Sequence, residues 1–255
     1  MDRNFKLVLA YDGTDFHGWQ RQVGVRTVQA ELEAVLQRVL RHPLHLAGAS
    51  RTDAGVHAHG QVANVVTSSS IPVENLARAL GSRLPADTAL VSAAVVPLEF
   101  RASRDACGKL YRYRIFNARR RPVETLAQRY VWHVWHPLDL DRMCAAAAAL
   151  VGTHDFAAFA GRGSPRPSTV RTIHRLGLER HSDEVWIDVE GDGFLYNQVR
   201  NVVGTLVEVG RGHWLPERVT EILASRDRTQ AGPTALPQGL CLEWVRYPPP
   251  AGGDA

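Results

Sequence analysis

Hydrophobic residues recur with helical spacing in five segments of the chain. In residues 28–41, VQAELEAVLQRVLR, apolar side chains three and four positions apart form one stripe, which predicts an amphipathic helix. Thr27 is suited to cap the N-terminus of this helix, and Pro43 follows its end. The same kind of spacing predicts four further helices, in residues 72–84, 140–151, 196–210 and 215–225.

Between these helices, short runs rich in β-branched and aromatic residues predict strands. They are FKLVLAY (5–11), GQVANVV (60–66), ALVSAAVV (89–96), KLYRYRIF (109–116), VWHVWH (131–136), VRTIHRLGLER (170–180), EVWIDVEG (184–191) and LCLEWVRY (240–247). Strands and helices alternate in both halves, and several strands follow one another directly. We therefore predict an α+β fold of two α/β subdomains with mainly antiparallel sheets.

The boundary between the two subdomains is predicted near residue 105. Residues 1–105 form an N-terminal α/β subdomain that carries Asp53, and residues 106–247 form a C-terminal α/β subdomain. The last residues, 248–255, read PPPAGGDA, and this composition is typical of a disordered tail.

The composition is that of an ordinary globular protein, with 45% apolar and 22% charged residues. The first apolar run is too short for a signal peptide, and the alanine-rich run in residues 143–152 is about half a membrane span. We therefore expect a cytoplasmic protein without a membrane segment. The three cysteines form no C-x-x-C pair, which argues against a disulfide framework or a zinc knuckle.

Basic residues are clustered, although the net charge is only +4. Residues 101–121 contain eight lysines and arginines against one acid, Asp105, and Tyr111 lies among them. A second cluster, in residues 161–175, holds Arg162, Arg166, Arg171 and Arg175. A solvated surface position explains any single arginine, but two clusters favour a nucleic-acid partner, because phosphates are neutralised by cations gathered on one surface.

The stretch GASRTDAGVHAHGQ (48–61) contains a candidate catalytic residue, Asp53. A nearby arginine such as Arg51 lowers the pKa of an aspartate by about 1–3 units, which leaves an ionised carboxylate suited to nucleophilic attack. An aspartate in a tight turn is the structural alternative. A third interpretation is a metal site at His57 and His59, which Arg51 disfavours because a cation would point towards the metal.

The segment SRTDAGVHAHGQV (50–62) resembles the signature of the TruA family of tRNA pseudouridine synthases, in which the aspartate is catalytic. LAYDGTDFHGWQRQ (9–22), KLYRYRIFN (109–117), DGFLYNQVRNVVGTLVEVGRG (192–212) and AGPTALPQGLCLEWV (231–245) resemble other segments of the family in the same order. The resemblance runs from residue 5 to about residue 247. Ser50 is a departure, because the family usually has glycine there, but it removes no reacting group.

The resemblance implies an enzyme that isomerises uridine to pseudouridine at positions 38, 39 and 40 in the anticodon arm of tRNA. It also implies a homodimer, no metal or organic cofactor, and two ferredoxin-like subdomains around a mostly antiparallel sheet. Asp53 would act on the nucleotide, either at C1′ or through a glycal. Arg51 and Arg200 would hold it ionised, and Tyr111 would stack on the flipped-out uracil and take the C5 proton.

Other interpretations stay open at the level of the residues. Tyr111 also suits a core position, and Arg200 also suits a surface position on its helix. A tRNA-binding module without activity would need the same arginines but not Asp53. A metal-dependent hydrolase would instead use His57 and His59.

Overall fold

The computed structural model describes residues 1–122, 128–161, 163 and 167–249. The chain forms two compact units: Met1–Cys107 together with the chain from Leu242 onward, and Gly108–Cys241. The boundary expected from the sequence lies two residues from this division, whereas the return of the C-terminal strand to the first unit was not expected. Of the expected tail, residues 250–255 lie outside the described residues, as do Arg162 and Arg166 of the second basic cluster.

The first unit has the element order of a ferredoxin-like fold, β-α-β-β-α-β. Its elements are β1 (Arg3–Tyr11), α1 (Val28–Leu40), β2 (Leu46–Gly48), β3 (His57–Thr67), α2 (Val73–Gly81) and β4 (Thr88–Val96). The strands lie in the order β4-β1-β3-β2, and each is antiparallel to its neighbour. This unit therefore matches the ferredoxin-like subdomain that was expected.

The strands of the second unit are also mostly antiparallel. Its elements are β5 (Gly108–Phe116), β6 (Trp132–His133), α3 (Leu140–Ala148), β7 (Gly152–Asp155), β8 (Val170–His181), β9 (Glu184–Gly191), α4 (Gln198–Gly210) and α5 (Arg218–Ser225). The strand order is β5-β9-β8-β7, and the short β6 runs parallel to β5. The last strand, β10 (Leu240–Arg246), belongs to the first unit from Leu242 on and pairs there with β3.

Local sequence explains the first helix and the first strand. The hydroxyl of Thr27 accepts a hydrogen bond from the N–H of Ala30, which confirms the predicted N-cap of α1. Leu32 and Leu36 lie one turn apart on the buried side of α1. Along β1, apolar residues alternate between buried and half-buried positions, with the period of two that a sheet imposes. The predicted α+β fold with mainly antiparallel strands is confirmed.

Three short segments differ from the prediction. The strand expected over residues 131–136 is limited to Trp132–His133, because the side-chain amide of Asn117 donates to the carbonyls of Val134 (2.9 Å) and His136 (2.7 Å). The strands β2 and β7 were not expected, since three or four residues carry too little periodicity. No helix in the described part of the chain is both long and apolar enough to cross a membrane.

Candidate active site

Asp53 lies in a tight turn between β2 and β3. The N–H of Val56 donates to the carbonyl of Asp53 (3.2 Å), and Gly55 adopts a φ of 76°, which glycine reaches without steric cost. Asp53 is half-buried, Arg51 is exposed, and Thr52 between them is buried. The turn therefore buries Thr52, while Asp53 and Arg51 on either side of it are only partly buried and exposed, respectively.

Gln61 on β3 holds the chain at the start of this turn. Its side-chain carbonyl accepts from the N–H of Ser50 (3.2 Å) and of Val62 (3.1 Å). Its amide donates to the carbonyl of Ser50 (2.7 Å) and to the hydroxyl of Tyr11 (3.3 Å). Because Gln61 is fully buried and both ends of its amide are bonded, it fixes both backbone polar groups of Ser50.

Gln61 bonds Ser50, the residue before Arg51, and Tyr11 on β1 bonds Thr52, the residue after it. The hydroxyl of Tyr11 shares a hydrogen bond of 2.8 Å with the hydroxyl of Thr52, the residue directly before Asp53. Tyr11 is 5% exposed and Thr52 6% exposed, so the bond is shielded from water. Gln61, Tyr11 and Thr52 thus form a buried hydrogen-bonded chain, which we call the loop clamp.

The loop that follows β1 packs directly on the turn. The N–H of Trp19 donates to the carbonyl of Thr52 (3.0 Å), and the N–H of Gly55 donates to the carbonyl of Phe16 (3.2 Å). At Gly18, φ is +86° and a Cβ would lie 2.6 Å from the carbonyl oxygen of Thr52. Only glycine satisfies both conditions, so Gly18 is a packing requirement of the turn.

His57 and His59 have different environments. His57 is buried; its Nδ1 accepts a hydrogen bond from the N–H of Gly13 (3.0 Å) and lies 3.2 Å from a carboxylate oxygen of Asp12. His59 is exposed and lies 3.0 Å from a carboxylate oxygen of Glu243. Among the residues that the structure describes, no group of three or more possible metal ligands includes His57. The geometry does not support a metal site that joins the two histidines.

In the second unit, Tyr111 lies on the buried face of β5. It is 7% exposed, and its ring meets the ring of Phe194 edge-on with centroids 5.4 Å apart. Tyr113 is buried on the same face, while Arg112 and Arg114 lie half-buried on the other. The strand predicted over residues 109–116 is confirmed, and its aromatic and basic side chains lie on opposite faces.

Arg200 lies in the first turns of α4 and is half-buried. Its Nε donates to the carbonyl of Ala235 (2.8 Å) and its Nη1 to the side-chain carbonyl of Asn197 (3.1 Å). Burial raises the pKa of Tyr113 above its ordinary value, and the positive charge of Arg200 acts in the opposite direction, as expected for neighbours. The carbonyl of Ala235 and the side-chain carbonyl of Asn197 orient the guanidinium of Arg200.

Comparison with known proteins places the chain in a family. A family model described as tRNA pseudouridine synthase matches residues 7–103 and 146–248. The tRNA pseudouridine synthase A of Thermoanaerobacter sp. (strain X514) is 46% identical over 245 residues, which cover 96% of this chain and 100% of that protein. The chain belongs to the tRNA pseudouridine synthase family.

Other relatives in this family are similar over the same length. The tRNA pseudouridine synthase A of Acetivibrio thermocellus is 45% identical, and the tRNA pseudouridine synthase A 2 of Clostridium perfringens is 42% identical. Each match covers 96% of this chain and 100% of the relative. Among solved structures, an H/ACA RNP bound to a substrate RNA containing 2′-deoxyuridine is a weaker match, with a TM-score of 0.37 and 10% identity over 80% of this chain and 44% of that chain.

A family that acts on tRNA needs cations for phosphates. In residues 101–121, however, some of the arginines are paired with acids of the protein itself. Arg112 forms a bidentate pair with Asp188 (2.7 and 2.8 Å), and Arg114 forms one with Glu184 (both 2.8 Å). Arg104 pairs with Asp105 (2.6 Å). Three of the eight cations are therefore neutralised within the protein, and the run is less available to phosphates than its sequence indicates.

Sequence reasoning missed the loop clamp of this family member. Tyr11 and Gln61 stand in the quoted motifs but were given no role. One signal was present: Gln61 is a polar residue among mostly apolar residues of the predicted strand 60–66, and a buried amide needs partners.

Proposed function

We propose that this protein isomerises uridine to pseudouridine at positions 38, 39 and 40 in the anticodon arm of tRNA, with Asp53 as the catalytic carboxylate. Membership of the tRNA pseudouridine synthase family, matched over 7–103 and 146–248, makes uridine in tRNA the substrate and isomerisation the reaction. The observation that carries the role of Asp53 is its turn, in which Gln61 bonds the backbone of Ser50, Tyr11 bonds the side chain of Thr52, and Asp53 directly after them is half-buried.

The reaction needs no oxidant and no water. The N1–C1′ bond breaks, the uracil turns, and a C5–C1′ bond forms; C5 loses a proton and N1 gains one, so the product is an isomer of the substrate. Asp53 either attacks C1′ or removes a proton from the sugar on the way to a glycal. Either route depends on a carboxylate that is held in a fixed position.

The other predicted residues have supporting roles in this proposal. In this proposal Arg51 and Arg200 keep Asp53 ionised, because positive charge lowers the pKa of a carboxyl. Tyr111 stacks on the flipped uracil and accepts the C5 proton. The protein works as a homodimer in the cytoplasm, without a metal or an organic cofactor.

The test uses an unmodified tRNA transcript labelled with tritium at uridine C5, incubated with the protein and EDTA. Wild-type protein releases tritium to water, because the C5 proton is lost during isomerisation. Asp53→Asn abolishes release while tRNA affinity stays the same or rises, since a carboxylate repels phosphate. Asp15→Asn is the control, because Asp15 is an exposed loop carboxylate of the same unit.

The outcomes separate the alternatives. No release from wild-type protein that binds tRNA points to a binding module without activity. Release that EDTA abolishes points to a metal. Transcripts with a single uridine at position 38, 39 or 40, mapped by chemical detection of pseudouridine, test the assignment to the anticodon arm.

A further inference from the structure

Trp135 exposes an aromatic face to solvent in the second unit. It is 59% exposed, and its ring stacks on that of His136 with centroids 3.6 Å apart and planes at 29°. An indole has a large apolar face and a polar N–H, and tryptophan is enriched at binding interfaces for that reason.

The backbone on both sides of Trp135 is fixed. Asn117 donates its side-chain amide to the carbonyls of Val134 and His136, and the N–H of Val134 donates to the carbonyl of Phe116 (2.9 Å). The side chain of Val134 is buried, and the next side chain in an extended chain points the opposite way. Trp135 therefore points outward because its neighbours are anchored.

Three consecutive arginines, Arg119–Arg121, follow the end of β5, beside the end of β6 that precedes Trp135. The strands β5 and β6 run parallel, with Phe116 opposite His133, and Nε2 of His133 lies 2.8 Å from the carbonyl oxygen of Ala118. The segment after β5 leads into Arg119–Arg121 and the segment after β6 leads into Trp135, so both lie beyond the same end of the two strands. All three arginines are exposed, and none forms a hydrogen bond or ion pair with a residue that the structure describes.

The charged residues around the ends of β5 and β6 are mostly basic. Arg180 reaches the side-chain carbonyl of Asn117 (3.4 Å) and the carbonyl of Leu138 (3.3 Å), which adds a fourth cation. Two acids lie beside this region: Asp183, whose backbone carbonyl accepts from the N–H of Asn117 (2.7 Å), and Glu184, which stands opposite Phe116 and is paired with Arg114 (2.8 Å).

We propose that Trp135, His136 and Arg119–Arg121 form a second RNA-binding surface, which we call the Trp135 surface. An unpaired base of the tRNA stacks on the indole, and adjacent phosphates are neutralised by the arginines. The inference rests on the proposed function only in taking tRNA as the RNA. A second copy of this chain fits less well, because a symmetric contact would set the arginines of one copy against those of the other.

The Trp135 surface lies away from Tyr111. Along β5, Tyr111 precedes Phe116 by five residues, a distance of about 17 Å in an extended strand, and the surface begins beyond Phe116. A nucleotide that reaches Tyr111 is therefore not the one that stacks on Trp135. The surface binds a part of the tRNA outside the reacting uridine, so it contributes to affinity and to the choice of tRNA rather than to chemistry.

The experiment measures the Kd of an unmodified tRNA transcript, its dependence on salt, and the tritium release of the same preparations. We expect Trp135→Ala to weaken binding about tenfold, as loss of one base–aromatic stack does, with kcat at saturating tRNA unchanged. Trp135→Phe keeps a flat ring and retains most of the affinity. Leu215→Ala removes an aliphatic side chain that is 65% exposed in the same unit and serves as the matched control.

Changing Arg119, Arg120 and Arg121 together to Gln is expected to flatten the slope of log Kd against log salt by about two to three units. Unchanged affinity of Trp135→Ala for tRNA, with normal tritium release by wild-type protein, overturns this inference and leaves the proposed function standing. A change in the sedimentation of Trp135→Ala without tRNA overturns it in favour of a contact between copies. Absence of release from wild-type protein, with the tenfold loss of binding still seen, contradicts the proposed function alone.

Discussion

Removal of the hydroxyl of Tyr11 tests whether the loop clamp positions Asp53. In Tyr11→Phe, the ring stays in the core, but the hydroxyl that bonds Thr52 at 2.8 Å and Gln61 at 3.3 Å is lost. Gln61 keeps its bond to the carbonyl of Ser50, whereas the buried hydroxyl of Thr52 loses its bond to Tyr11. Leaving such a buried polar group without its partner costs about 1–3 kcal/mol of folding stability.

The effect on turnover is expected to exceed what lost stability explains. Thr52 directly precedes Asp53, and a displacement of the reacting group by about 1 Å lowers a rate by roughly a hundredfold. We expect kcat for tritium release to fall about ten- to a hundredfold, with the Kd for tRNA within about twofold of wild type. Denaturant titration with an unchanged m-value measures the stability, and single-turnover release measures the rate.

Tyr247→Phe is the matched control. Its hydroxyl donates to the carbonyl of Ala102 (2.8 Å) in the same unit, so the change also removes one tyrosine hydrogen bond but touches no part of the turn. We expect this variant to lose about 1 kcal/mol of stability and no turnover. Wild-type turnover in Tyr11→Phe, despite the expected loss of stability, would refute the positioning role of the clamp.

Two further changes test the turn and the tyrosine. Gly18→Ala places a Cβ 2.6 Å from the carbonyl oxygen of Thr52 at a φ of +86°, so we expect a loss of about 1–3 kcal/mol and a lower kcat; equal stability to wild type in a denaturant titration would show that the loop moves aside without cost. Tyr111→Phe keeps the ring and removes the hydroxyl, so we expect intact tRNA binding and loss of tritium release; turnover at the wild-type rate would leave stacking as the role of Tyr111.

The longer elements of the fold could be predicted from the sequence because they are amphipathic over several turns or several strand residues. The helix α1 and the strand β9 were found almost residue for residue, since their apolar positions repeat with one clear period. The segment at 131–136 was over-extended for a reason outside its own sequence. A distant side chain, Asn117, takes the carbonyls that a neighbouring strand would otherwise bond.

In the candidate site too, contacts between distant parts of the chain could not be predicted from local sequence. Asp53 could be found because its motif is contiguous, but the loop clamp depends on the register of β1 against β3. A β-bulge between Leu9 and Tyr11 sets Leu9 opposite Gln61 and Tyr11 opposite Ala58. The local hydrophobic pattern of β1 does not predict this bulge. The neutralisation of Arg112 also depends on register, because β5 and β9 pair so that it stands opposite Asp188.

Ser50 offers a last test of how the turn is held. The family usually has glycine at this position, which would matter if the backbone needed a positive φ, but Ser50 is not among the residues with positive φ. Gln61 bonds the N–H and the carbonyl of Ser50, groups that glycine also has. We therefore expect Ser50→Gly to keep kcat within about twofold and to lose about 0.4–1 kcal/mol of stability, because glycine makes the unfolded chain more flexible. A tenfold change in kcat, with tRNA affinity unchanged, would mean that the side chain of Ser50 rather than its backbone positions Asp53.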